Sequence, residues 1–132
     1  MTGSKSRILM ADPDPDVSRA VQVYLENSGH TVELLDTAAE VIPRARQWQP
    51  NAILISTELS DQNPYQVCRG LLADTLTGHI PIIMLLHLDN RRAKLEALEV
   101  GADDTVTKPI DLEELKLRIE AAIRLSTLRV NV

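Results

Sequence analysis

The chain has 132 residues, and its 14 basic against 19 acidic side chains give a net charge of −5, which argues against broad nucleic-acid binding because phosphate recognition wants a basic face. Hydrophobic residues make up 44%, too many for a disordered tail, and one domain of this length buries roughly two thirds of its unfolded surface without a staple. The single cysteine, Cys68, excludes an internal disulfide and a zinc-thiolate cluster.

With no Phe and one Trp, the core must be filled by Leu, Ile, Val and Ala. No apolar run approaches the length of a membrane span, and Met1-Thr2-Gly3-Ser4-Lys5 lacks the apolar core of a signal peptide, so the cytoplasm is the expected compartment.

Short apolar runs alternate with helical patterns along the chain. Arg7-Ile8-Leu9-Met10-Ala11 reads as a first strand. Asp14 then caps a helix with Pro15 at its first position, Val17, Ala20, Val21, Tyr24 and Leu25 recur at helical spacing, and Ser28-Gly29 ends it. Residues 31–35 form a second strand. Asp36 or Thr37 caps a second helix carrying Ala38, Val41, Ile42 and Ala45, with a kink or a late start imposed by Pro43.

Residues 51–55 form a third strand, and Pro64 opens a helix with Val67, Cys68, Leu71 and Leu72 on one face. The most apolar run, residues 80–86, is the fourth strand. A helix over residues 90–100 is closed by Gly101, residues 104–107 make a short fifth strand, and Asp111 caps a last helix with Leu112, Leu115, Ile119, Ala122 and Ile123 facing inward. Interior strands that are continuous apolar runs belong to a parallel sheet covered on both faces. The expected fold is therefore α/β, a flavodoxin-like doubly wound sheet of five strands in order 2-1-3-4-5 with five helices. Ligand chemistry then lies beyond the carboxyl ends of the strands, near Asp12, Ser56, Leu86 and Lys108.

Three stretches, Ile8-Leu9-Met10-Ala11-Asp12-Pro13-Asp14-Pro15-Asp16, Ile80-Pro81-Ile82-Ile83-Met84-Leu85 and Gly101-Ala102-Asp103-Asp104-Thr105-Val106-Thr107-Lys108-Pro109-Ile110-Asp111, fall in register with the five βα units. In that register the chain resembles the bacterial response-regulator receiver family of two-component phosphorelay signalling, over residues 8–125. The resemblance implies a receiver domain over residues 7–125, a disordered N-terminal stretch over residues 1–6, and a tail or the start of a linker over residues 126–132. It implies a signalling domain rather than an enzyme, and a cis Lys108-Pro109 peptide. In such domains a strand-end aspartate takes a phosphoryl group from a histidine kinase. An acidic pair holds Mg²⁺, a Thr or Ser ends strand four, and a Lys ends strand five. A carboxylate nucleophile gives a high-energy acyl phosphate, and Mg²⁺ wants hard oxygen ligands.

Carried over by position, Asp12 matches the first acid and Lys108 the lysine. Pro13 stands at the second acid, Ser56 at the phospho-acceptor and Leu86 at the strand-four hydroxyl, and Thr105 replaces an aromatic residue. A serine hydroxyl is a weak nucleophile without an adjacent base, and no histidine is expected near Ser56. Asp61 lies in a loop where its side chain is poorly fixed. Asp12, Asp14 and Glu58 are the remaining oxygen donors for a cation, too few for Mg²⁺, so no cofactor or metal is expected. Asp12 and Lys108 are expected to form an ion pair. His30, His79 and His87 lack metal-ligand spacing and read as surface or turn residues.

The expected function is a degenerate pseudo-receiver acting by protein–protein contact with a histidine kinase, an output domain or a homodimer mate, and with neither membrane nor nucleic acid directly. Arg91, Arg92, Lys94 and Glu96 could meet Asp103, Asp104, Arg118 and Glu120 of a second copy. The alternative is a Mg-dependent phosphorylatable switch using Glu58 or Asp14 as acceptor. A nucleotide-binding or flavodoxin-like enzyme would need a glycine-rich phosphate loop that the sequence lacks.

Overall fold

A computed structural model describes residues 6–87 and 90–130 of the chain. The apolar runs form five strands, β1 (Arg7–Ala11), β2 (Thr31–Leu35), β3 (Ala52–Ser56), β4 (Ile82–Leu86) and β5 (Asp104–Thr107). They pair in parallel in the order β2-β1-β3-β4-β5. Every residue of β3 and β4 is buried, as expected for strands covered on both faces. Successive side chains point to opposite faces, so each strand feeds two core layers. Leu9, Ile53, Ile55 and Met84 pack under α2 (Val41–Trp48), α3 (Pro64–Ala73) and α4 (Arg91–Glu99). Ile8, Met10, Leu54, Ile83 and Leu85 pack under α1 (Pro15–Asn27) and α5 (Leu112–Val130).

The ladder runs one residue past three strands, which fixes the backbone where the site begins. Asp12 N–H donates to Leu35 O at 3.1 Å, Thr57 N–H to Leu85 O at 2.9 Å, and Lys108 N–H to Leu86 O at 2.8 Å. The Lys108–Pro109 peptide is cis.

Four helix starts follow from the capping residues. The Asp14 carboxylate accepts from Asp16 N–H at 2.9 Å and Val17 N–H at 3.3 Å, ahead of Pro15. Asn63, Asn90 and Asp111 cap α3, α4 and α5 in the same way. The start of α2 departs from expectation. It begins at Val41, so Pro43 falls in the first turn, where its missing N–H has no intrahelical partner to lose. Neither Asp36 nor Thr37 caps it; Thr37 Oγ1 instead donates to the Glu40 carboxylate at 2.6 Å. The N–H groups of Ala38 and Ala39 are held at 2.8 and 2.9 Å by Asp61, from the loop after β3. Asp61 is thus a fixed carboxylate, contrary to the expectation of a loose one, and the hydrogen bond from Ala38 leads in holding its carboxyl below the usual range.

His30 also departs from expectation. It is only 5% exposed. Its Nδ1 accepts from Ser6 N–H at 3.4 Å, and its Nε2 pairs with the Glu120 carboxylate at 3.0 Å. Ser6, assigned from the sequence to a disordered stretch, is itself buried, while residues 1–5 of that stretch lie outside the described residues. At the other end α5 continues through residues 126–130, past the expected domain limit. Among the described residues no helix is long and apolar enough to cross a membrane.

Gly29 and Gly101 end α1 and α4 with φ of 98° and 103°, a region L side chains rarely occupy. A Cβ at Gly29 meets nothing within 4 Å, whereas one at Gly101 would lie 2.3 Å from Leu72 Cδ1. Gly29→Ala is expected to cost about 1 kcal/mol from backbone strain alone. Gly101→Ala is expected to cost about 1 kcal/mol more, as Leu72 is forced to a new rotamer. Urea unfolding midpoints measure both, and equal losses would contradict the assignment.

Candidate functional site

The parallel strands end at one edge, and that edge gathers Asp12, Ser56, Glu58, His87 and Lys108. Asp12 follows β1 with its side chain fully buried. Its Oδ1 accepts from Asp14 N–H at 2.9 Å, a local turn that sends the chain into α1. Its Oδ2 lies 2.8 Å from Lys108 Nζ as an ion pair but off the line of a directed hydrogen bond, and among the described residues no other polar atom satisfies it.

Lys108 reaches back from the end of β5 with its side chain 10% exposed. Its ammonium donates to Glu58 Oε1 at 2.5 Å and, more weakly, to Ser56 Oγ at 3.5 Å. Burial pushes the Lys108 pKa down, but the close contacts and charges of Asp12 and Glu58 outweigh it, and the net shift is upward. Glu58, one third exposed, turns its Oε2 to His87 Nδ1 at 3.2 Å. Ser56 is fully buried and also accepts from Glu58 N–H at 3.0 Å, so both of its hydrogen-bond partners are donors and neither is a base.

These side chains do not fit a divalent cation. Mg²⁺ demands near-octahedral oxygen ligation. Pro13 brings no side-chain oxygen, Asp14 spends its carboxylate on the cap of α1, and an ammonium stands between Asp12 and Glu58. Among the described residues no cluster of three or more His, Cys, Asp or Glu is placed to hold a metal.

The edge brings together Asp12, Ser56 and Lys108, and Glu58 joins them from the loop, where its parity with Ser56 had placed it over the same pocket. Its contact is an ammonium rather than a metal. Leu86 ends β4 at the same edge, but its side chain is fully buried in the layer under α3 and α4. Pro13 is exposed, and Asp14 faces the helix. His87 went unrecognised in the sequence. It is an exposed turn residue as expected, yet as the first residue past β4 it meets Glu58, and that position was the available signal.

Part of the charged face expected for a partner is engaged within the chain. Arg118 pairs with Asp104 at 2.9 Å and with Glu114 at 2.9 Å, and Asp103 accepts from Ile82 N–H at 2.9 Å. Glu120 does not belong to that face, a correction to the sequence assignment. Two residues past Arg118, it turns to the opposite side of α5 and pairs with His30 and Lys116. Burial pushes its carboxyl up, and the His30 and Lys116 contacts more than offset this, leaving it below the usual range. Leu95 and Leu98 on α4 and Leu117, Leu125 and Leu128 on α5 are each more than half exposed, adding an apolar element to the α4–β5–α5 face.

A five-stranded parallel sheet in this order, with an acid and a lysine meeting at its carboxyl edge, defines a two-component receiver module. Residues 8–120 match the response regulator receiver domain family, and the chain belongs to it. It is 36% identical over 118 residues to the DNA-binding dual master transcriptional regulator RpaA of Synechocystis, covering 89% of this chain and 49% of that protein. It is 31% identical to PilH of Pseudomonas aeruginosa, covering 89% of this chain and 98% of that protein. Among solved structures, a two-component response regulator from Clostridium difficile superposes with a TM-score of 0.83 at 27% identity, over 91% of this chain and 97% of that one. A CheY-like receiver domain protein from Methanospirillum hungatei, at 23% identity, shares the fold with a TM-score of 0.86, over 96% of this chain and 99% of that one. The chain spans about half the length of RpaA and of MtrA of Mycolicibacterium smegmatis.

Lys108→Met would strand the buried Asp12 carboxylate and is expected to cost about 3 kcal/mol, whereas adding Asp12→Asn should recover most of it. Because the folded Lys108 pKa lies above its unfolded value of 10.5, its stabilisation is complete below that pH and is lost as pH rises through the folded value. Denaturant midpoints should therefore fall more steeply in strong alkali for the natural chain than for the double variant. Parallel alkaline profiles would remove Lys108 from the stability account.

Proposed function

We propose that this receiver domain signals by protein–protein contact, without an acyl phosphate at the Ser56 position. The observation that carries the reading is the state of Lys108. Its ammonium is already neutralised from within by Asp12 and Glu58, at 2.8 and 2.5 Å. Three further features support it. Among the described residues the Ser56 hydroxyl meets two donors and no base. Leu86 offers no hydroxyl to a phosphoryl oxygen. Pro13 leaves Asp12 without an acidic neighbour for Mg²⁺. In this reading the domain has no catalytic residue and needs no cofactor.

The output surface is the α4–β5–α5 face, where exposed leucines flank the Arg118–Asp104 pair. A histidine kinase, an output domain or a second copy are the partners this face suits, in the cytoplasm. RpaA and MtrA are named as DNA-binding, but the acidic balance of this chain favours contact with protein rather than with nucleic acid.

One observation favours a second reading. Glu58 is a partly exposed carboxylate beside an ammonium, so it is the acceptor a phosphorylatable switch would use; Asp14 is occupied by its cap. Acetyl phosphate with Mg²⁺, followed by intact-mass measurement and hydroxylamine treatment, separates the two. The pseudo-receiver reading expects no hydroxylamine-labile phosphoryl adduct, and such an adduct on Glu58 would replace it with the second reading. Ser56→Asp is expected to remain unlabelled. It is also expected to lose about 2 kcal/mol or more in thermal unfolding, because it buries a third carboxylate beside one ammonium.

A further inference from the structure

The opposite edge of the sheet, where β1, β3 and β4 begin, carries a cavity of about 320 Å³ closed on one side by α5. That volume lies at the small end of the range for small-molecule sites. The strand starts that frame it are tied together, with Asn51 N–H donating to Arg7 O at 2.7 Å and Ile53 N–H to Pro81 O at 3.0 Å. Buried Ile80 and Pro81 and half-buried Ile123 give it an apolar wall, and exposed Arg7, Asn51 and His79 line its mouth.

The charge of this cavity runs against that of the chain. No carboxylate lines it, although the chain has 19 acidic side chains against 14 basic. The groove beside α1 and those on both flanks of α5 are each lined by at least one acid. Arg7 makes no ion pair among the described residues. Its guanidinium is held by donating to Gln49 O and by lying 5.9 Å from the centroid of the Trp48 ring, and the rest of its fork stays open. Asn51 Oδ1 accepts from Arg7 N–H at 2.7 Å, so the NH₂ group is what Asn51 has left to offer. His79 makes neither a hydrogen bond nor an ion pair among the described residues.

An unpaired guanidinium beside amide and imidazole groups matches a carboxylate, whose two oxygens a guanidinium fork takes together. The hydrocarbon wall favours an organic body over a hydrated inorganic ion, which has no apolar surface to bury. We propose that this cavity is a binding site for a small organic carboxylate, with Arg7 as its charge anchor. It lies across the sheet from Asp12 and Lys108 and uses neither, so it stands whether or not the domain works without an acyl phosphate. One wall belongs to α5, the helix that carries part of the output face, so an occupant bears on that helix directly.

The test titrates the full chain with benzoate at constant pH and ionic strength and reads amide NMR shifts along the backbone. Saturable shifts are expected at Arg7, Asn51, His79 and Ile123, while Asp12, Ser56 and Lys108 stay in place. Benzamide, which keeps the shape and lacks the charge, is expected to bind about tenfold or more weakly, and so is benzoate to Arg7→Gln. The benzamide comparison needs no variant, so the proposal remains exposed to failure even if Arg7→Gln misfolds. Equal affinities for benzoate and benzamide would overturn it, as would undiminished binding to a folded Arg7→Gln. Absence of saturable shifts up to benzoate concentrations on the order of 10 mM would overturn it too. Shifts centred on Lys108 instead would place the anion at the other edge, with the same consequence.

Discussion

The structure depends on one ion pair, Asp12 with Lys108, placed where all five strands end. Taking both charges out of water costs several kcal/mol for each ion, and the pair repays this only while it stays together. Among the described residues Asp12 has no other partner for Oδ2, so Lys108 cannot leave without stranding a buried carboxylate. The backbone holds both ends of the pair in place, since Asp12 N–H and Lys108 N–H extend the sheet ladder onto β2 and β4. The geometry that positions the site is thus the same geometry that closes the sheet.

The three replacements at this edge are chemically consistent with one another. In the proposed reading, Pro13 brings no metal ligand and Ser56 no carboxylate nucleophile, while Leu86 fills the end of β4 with hydrocarbon. Glu58, two residues past Ser56, supplies Lys108 with a second carboxylate contact. His87 then steadies the outer oxygen of Glu58. In the proposed reading this edge serves as a set of internal contacts between loops.

The sheet order, the starts of α1, α3, α4 and α5 and the close of α4 were legible because they are written locally, in apolar runs and in Asp14, Pro64, Asn90, Gly101 and Asp111. The start of α2 was half legible. Pro43 signalled a late start, but the turn that leads into the helix is held at Ala38 and Ala39 by Asp61, more than twenty residues away along the chain, and no local pattern announces it. The burial of His30 likewise depends on Glu120, 90 residues distant. Glu120 lies across α5 from Arg118, because side chains two apart on a helix point to opposite sides. The Asp12–Lys108 pair was legible from strand ends alone. The Glu58–His87 contact was not, because it depends on how two loops fold over the edge.

The account's central claim is that the strand-end pocket is already satisfied by its own side chains. Amide NMR with Mg²⁺ and beryllofluoride, a mimic of an aspartate-bound phosphoryl group, tests it most directly. The account predicts that resonances around Asp12, Ser56 and Lys108 stay where they are. Concerted shifts of the strand ends together with α5 would show a pocket that accepts a phosphoryl group, and would contradict it.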